Sequence, residues 1–128
     1  MRILGASITL AVSDPAASSG FFCTHLGFRA TVIDEVSICL ERDDLDVEIV
    51  LRRSESKAQA DPEGGETPGV RMGFEVTDLA VEQDRLFEEG ASISTPLHRE
   101  AGGLLRLRLT DPNRVDVELT QWTPPAGC

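Results

Sequence analysis

Tyrosine is absent from this 128-residue chain, and the aromatic complement is one tryptophan and five phenylalanines. A core must therefore rest on aliphatic side chains, and stacking surface is scarce. Cysteine occurs three times, at Cys23, Cys39 and Cys128, with no C-x-x-C pair, and histidine twice, at His25 and His98. That excludes a disulfide framework and a cysteine-based zinc site. Cys23 and Cys39 have apolar neighbours and read as small interior residues rather than nucleophiles. Long hydrophobic runs are missing too; the longest, such as Ile49-Val50-Leu51, cannot span a bilayer. Met1–Gly5 leads straight into an alternating pattern without the sustained apolar region of a signal peptide, so a cytoplasmic protein is expected. Positive charge is in deficit, with 12 Lys and Arg against 22 Asp and Glu, for a net charge of −10. A polyanion is repelled, which makes nucleic acid a poor partner and a neutral or cationic small molecule a better one. The same charge also serves solubility.

What is present is a repeat. Ser7-Ile8-Thr9-Leu10-Ala11-Val12-Ser13-Asp14 is echoed 64 positions later by Arg71-Met72-Gly73-Phe74-Glu75-Val76-Thr77-Asp78. Asp46-Val47-Glu48-Ile49 is echoed 70 positions later by Asp116-Val117-Glu118-Leu119. Within each half, alternating apolar residues give a strand. Asp14-Pro15 then caps and opens a helix whose stripe is Ser18, Phe22 and Leu26, with Phe21 beside it and Gly27 as its end. In the second half Asp78 caps a helix running to Gly90, with Leu79, Leu86 and Phe87 as its main apolar residues. Three strands follow each helix, near 28–34, 36–41 and 46–52 and near 91–96, 104–109 and 115–122. The expected organisation is a first βαβββ module over 1–53, a linker over 54–69, a second module over 70–123 and a tail over 124–128, together one structural domain.

Period-2 sorting assigns Ile8, Leu10, Val12, Met72, Phe74, Val117 and Leu119 to the helix-covered faces. The opposite faces then carry Ser7, Thr9, Asp46, Glu48, Arg71, Gly73, Glu75, Asp116, Glu118, Thr120 and Trp122, joined by Arg106 and Arg108. Such a face is either solvated or, if duplicated sheets curve together, the lining of a site.

The string Ile8-x-Leu10-x-Val12-x-Asp14, then Ser18-x-x-Phe21-Phe22-x-x-x-Leu26-Gly27-Phe28, resembles the opening of the glyoxalase/bleomycin-resistance/extradiol-dioxygenase (vicinal-oxygen-chelate) superfamily. Phe74-Glu75-Val76-x-Asp78-Leu79 and Asp111-Pro112-Asn113-x-Val115-x-x-Glu118-Leu119 resemble its second half, with Arg114 and Val115 replacing a Gly-Asn pair in the final turn. The resemblance implies an α+β fold of two βαβββ modules forming curved mixed sheets around a ligand cavity, in a homodimer. It also implies a divalent metal held by His or Gln and Glu on the first and last strands, at the positions of Ser7, Glu48, Arg71 and Glu118. Ser7 and Arg71 depart from that pattern. Arg71 has no lone pair to donate and is always cationic, so it is expected to pair with Glu48 or Glu118 rather than to hold a metal.

These readings converge on a metal-free, cofactor-free binding protein like the antibiotic-sequestering branch of that superfamily, serving self-resistance or a natural-product pathway. Ser7, Thr9, Glu48, Arg71, Glu118, Thr120 and Trp122 are its expected ligand contacts. Trp122 is either a stacking surface or a packing residue. The alternative is a glyoxalase- or dioxygenase-like lyase or isomerase, with altered metal ligands or with Glu48 or Glu118 as general base. A third possibility is an interaction module with a vestigial cavity.

Overall fold

Alternation becomes strand, and four-residue spacing becomes helix, in the computed structural model, which describes residues 1–54 and 71–122. Two compact units result, one holding residues 1–54 and the other 71–122. The expected tail and, apart from Ser54, the expected linker lie outside the described residues.

The first unit runs β1 (Ala6–Val12), α1 (Pro15–Leu26), β2 (Arg29–Ile33), β3 (Ser37–Arg42) and β4 (Leu45–Arg53). Its sheet has the order β1-β4-β3-β2, with β1 parallel to β4 and the other pairs antiparallel. Asp14 caps α1 by accepting from the Ala17 N–H at 3.2 Å, and Pro15 occupies the first turn, where no N–H is needed. Gly27 ends the helix in the left-handed region at φ 71°. Phe21, Phe22 and Leu26 are buried on α1, and Phe22 meets Phe28 edge to face at 5.6 Å. Leu10, Val12, Ile38, Leu40, Ile49 and Leu51 complete this core. Each such side chain, fully buried, contributes about 1.5–3 kcal/mol.

The second unit repeats the plan with β5 (Arg71–Glu75), α2 (Leu79–Glu88), β6 (Ile93–Arg99), β7 (Leu104–Thr110) and β8 (Asp116–Trp122), in the order β5-β8-β7-β6. Asp78 caps α2 through the Val81 N–H, and Gln121 of β8 accepts from the Leu79 N–H at 2.7 Å, satisfying a second orphan donor. Gln83 faces β6 from α2 and accepts from the Leu97 N–H at 2.7 Å. The core is Met72, Leu79, Leu86, Leu107, Leu109, Val115, Val117 and Leu119. The expected fold of two βαβββ modules with mixed four-stranded sheets is therefore present.

One expectation about the core needs correction, and one apolar residue of α2 lies outside the core. Ile8 is 41% exposed, because α1 packs chiefly on β2, β3 and β4 and leaves the start of β1 uncovered. Phe87 is 77% exposed; the stripe that α2 turns to its sheet runs through Leu79, Gln83 and Leu86, and Phe87 stands one residue off it.

Candidate functional site

Sheet register decides which side chains share a row on the face away from each helix. In the first unit Ser7 of β1 stands opposite Glu48 of β4. Thr9 stands opposite Val50, which is itself opposite Cys39 and, through it, Val32. The face mixes hydroxyls, small apolar groups and one carboxylate. Glu48 makes no ion pair among the described residues, so its charge is uncompensated at short range. Cys39 and Cys23 are half-buried and form no disulfide among the described residues. Burial pushes the Cys39 thiol upward, and the charges of Glu48, Asp34 and Glu41 push the same way, so a thiolate nucleophile is disfavoured.

The second unit is more heavily charged. Arg71 stands opposite Asp116 and pairs with it at 3.8 Å, both side chains being nearly half exposed. Within this unit, the expected pairing of Arg71 with Glu118 gives way to this one. The Arg71 row meets β8 two residues before Glu118, and two residues along a strand is about 7 Å. Glu118 is instead opposite Gly73 on one side and Arg108 on the other. Its Oε1 lies 3.2 Å from Arg106 Nε and 3.3 Å from Arg108 Nε, and its side chain is only 14% exposed. Arg108 donates a hydrogen bond to it; the buried Arg106 Nε lies within ion-pair distance but lacks hydrogen-bond geometry. Arg106 reaches Glu100 through Nη1 at 2.9 Å, and His98 lies 3.4 Å from the same Glu100 oxygen. Thr120 shares a row with Glu75 and Arg106, and Trp122, 55% exposed, shares one with Leu104.

Within each unit, then, the expected contacts fall on one face: Ser7, Thr9 and Glu48 on the first sheet, Arg71, Glu118, Thr120 and Trp122 on the second. Sequence reasoning assigned no role to His98 and Glu100, whose alignment with Arg106 depends on an irregular β6–β7 register that no alternation pattern signals.

The divalent cation that the resemblance implies does not suit these residues. Arg71 is a cation already paired to Asp116, and Glu118 faces two guanidinium groups that an arriving metal would have to displace. Ser7 and Glu48 supply one hydroxyl and one carboxylate. Among the described residues, no three His, Cys, Asp or Glu side chains gather into a metal-binding cluster.

The profile of the Glyoxalase/Bleomycin resistance protein/Dioxygenase superfamily matches residues 6–119. No curated protein matches the sequence. Among solved structures, UcmS2 superposes with a TM-score of 0.75 at 20% identity, over 94% of this chain and 98% of its own. TnmS3, an antibiotic binding protein from Streptomyces sp. CB03234, gives 0.74 at 19% identity, over 96% and 99%. Lactoylglutathione lyase from Agrobacterium tumefaciens gives 0.70 at 16% identity, over 91% of each chain. At these identities the likeness is one of fold, and the fold serves a binder and a lyase alike.

Proposed function

This chain belongs to the Glyoxalase/Bleomycin resistance protein/Dioxygenase superfamily, and from that premise we propose that it is a metal-free small-molecule binding protein that sequesters an antibiotic or related natural product. The reading is carried by the donor set: where a divalent metal needs several free Lewis bases, Arg71 stands paired with Asp116, and Glu118 is engaged by Arg106 and Arg108. Groups unsuited to metal catalysis remain suited to recognition. Ser7 and Thr9 offer hydroxyls, and Glu48, without an ion pair among the described residues, attracts a cationic or hydrogen-bond-donating group. The second sheet, taken by itself, presents Arg71 and Thr120 as polar contacts and Trp122 as an exposed ring. The antibiotic binding protein TnmS3, of the same fold, gives this reading its ligand class. No described helix is long and apolar enough to cross a membrane. We take the working form to be a cytoplasmic homodimer, in which a twofold partner covers exposed apolar residues such as Ile33 and Phe87.

The test is a thermal-shift screen of natural products, followed by calorimetry and recovery of the ligand for mass spectrometry. Sequestration predicts saturable stabilisation that follows RT ln(1 + [L]/Kd), with the ligand returned unchanged. A ligand recovered in altered form would replace sequestration with catalysis, and a screen without any stabilising compound would remove the binding role. Light scattering that gives a monomer mass across micromolar concentrations would remove the dimer.

A further inference from the structure

The charged cluster on the second sheet is asymmetric. Arg106 and Arg108 share a single oxygen of Glu118, but Arg106 has Glu100 as a second partner at 2.9 Å, whereas Arg108 has Glu118 alone among the described residues. Arg108 spends its Nε–H on that carboxylate, and its two terminal nitrogens have no hydrogen-bond partner among the described residues. Its side chain is 31% exposed. On the far side of Glu118, Gly73 leaves open space, with nothing within 4 Å of where a Cβ would stand. The result is a guanidinium fork fixed at its base, undercompensated in charge, and with room beside its anchor.

We propose that Arg108 is a ligand contact, recognising a carboxylate or phenolate oxygen, and that Glu118 is the positioning residue that holds it. This assignment rests on the reading of the chain as a small-molecule binding protein, and it reverses the polarity expected at Glu118. A cation approaching Glu118 meets two guanidinium groups already beside its Oε1, whereas an oxyanion meets a planar pair of Arg108 donors matched to its geometry. Anchoring through Nε restricts the guanidinium before the ligand arrives, so less side-chain freedom is lost on binding. The ligand class that follows is an organic molecule with an acidic or enolised oxygen.

Three probes of equal aromatic size and different charge separate the possibilities: 2-naphthoate, 2-naphthamide and 2-naphthylmethylamine. They are titrated into the full chain and followed by the chemical shifts of the arginine Nε–H groups and the β7 and β8 amides. Naphthoate is expected to bind at least about tenfold more tightly than the amide, as a charge-assisted contact requires, and to move the Arg108 signal. Arg108→Gln and Arg108→Lys should both lose that preference, the second keeping the charge but not the fork. Arg99→Gln, which removes an exposed arginine of the same unit with no ion pair among the described residues, should keep it. Equal binding of acid and amide, a preference that survives both Arg108 variants, tightest binding of the amine, or no binding of any probe would each overturn the assignment. None of these outcomes touches the sequestration reading, which stands or falls on the natural-product screen.

Discussion

Arg42 of β3 occupies the space that a side chain on Gly27 would need. A Cβ there would lie 2.6 Å from Arg42 Nη1, and that nitrogen donates to the Leu26 carbonyl at the end of α1. The same guanidinium grips Asp44 with Nε at 2.7 Å and Nη2 at 2.9 Å, and sits over the Phe28 ring at 5.8 Å. Gly27 is thus required twice, by its positive φ and by the arginine that closes the helix. Gly27→Ala should destabilise the fold by about 1–3 kcal/mol, combining left-handed strain with displacement of Arg42. In Arg42→Ala the clash is gone, so Gly27→Ala added to it should cost only the backbone part, about 1 kcal/mol. A urea double-mutant cycle measures the difference; full additivity would show that the two residues act independently.

Asp34 supplies a pH dependence. Its Oδ1 accepts the Val36 and Ser37 N–H groups, both at 2.8 Å, and its Oδ2 accepts the Ser37 hydroxyl at 3.1 Å. The backbone bonds to Val36 and then Ser37 lead in holding the carboxyl below its ordinary value of 3.8. A carboxyl depressed in the folded state stabilises at pH above its unfolded value, and this is lost as pH falls through the folded value. Wild type should therefore exceed Asp34→Asn in stability at neutral pH and lose that margin progressively as pH drops below 3.8. Thermal unfolding of the pair from neutral to strongly acid pH checks this, and a margin constant across the range would rule out the ionised turn.

Two acidic residues on β8 should differ sharply in worth. Asp116 meets Arg71 at 3.8 Å with both side chains nearly half exposed, and such pairs contribute about 0–1 kcal/mol. Glu118 is mostly buried beside Arg106 and Arg108, so its removal takes the counter-charge from Arg108 and leaves Arg106 with Glu100. Asp116→Asn is expected to change stability by no more than about 0.5 kcal/mol, and Glu118→Gln to cost about 1–3 kcal/mol. Equal effects in chemical denaturation would show that the Glu118 cluster is no more than another surface pair.

The sequence exposes some of these features and hides others for definite reasons. Asp14, Asp78 and Gly27 announce their roles because capping is local: a side chain meets an N–H three residues away, or a positive φ selects glycine. The two sheet faces are legible because alternation has a period of two. Register is not. By repeated motif Glu48 corresponds to Glu118, yet Ser7 stands opposite Glu48 while Arg71, its equivalent ahead of the capping aspartate, stands opposite Asp116. A slip by two residues leaves every side chain on its own face, so the hydrophobic pattern is the same in either register. Partners such as Glu118 with Arg106 and Arg108 therefore emerge only from the folded sheet.

The donor set bears on metal content. Protein purified without chelator should carry less than one equivalent of zinc, nickel, iron or manganese per chain. Arg71 cannot ligate, and Glu118 Oε1 already faces two cations at 3.2 and 3.3 Å. Elemental analysis decides the matter: a stoichiometric metal that disappears in Glu118→Ala would restore the metal-dependent enzyme.

Trp122 allows the binding reading to be followed directly. It is the single tryptophan of the chain and is 55% exposed at the end of β8, so its emission reports one place. Removing a ring so exposed should alter the stability of the free protein by about 0.5 kcal/mol or less. An aromatic ligand stacked on the ring gains about 1 kcal/mol beyond area burial, so Trp122→Ala should weaken such a ligand about fivefold while leaving the fold intact. In wild type the same ligand should shift or quench the tryptophan emission along the calorimetric binding curve, because stacking takes water from the indole. If instead a twofold partner covers this ring, emission will change with protein concentration and not with ligand, and Trp122→Ala will shift the light-scattering mass toward the monomer. Ligand affinity and emission both untouched by Trp122 would remove the residue from the site while leaving Ser7, Thr9 and Glu48 to be tested separately.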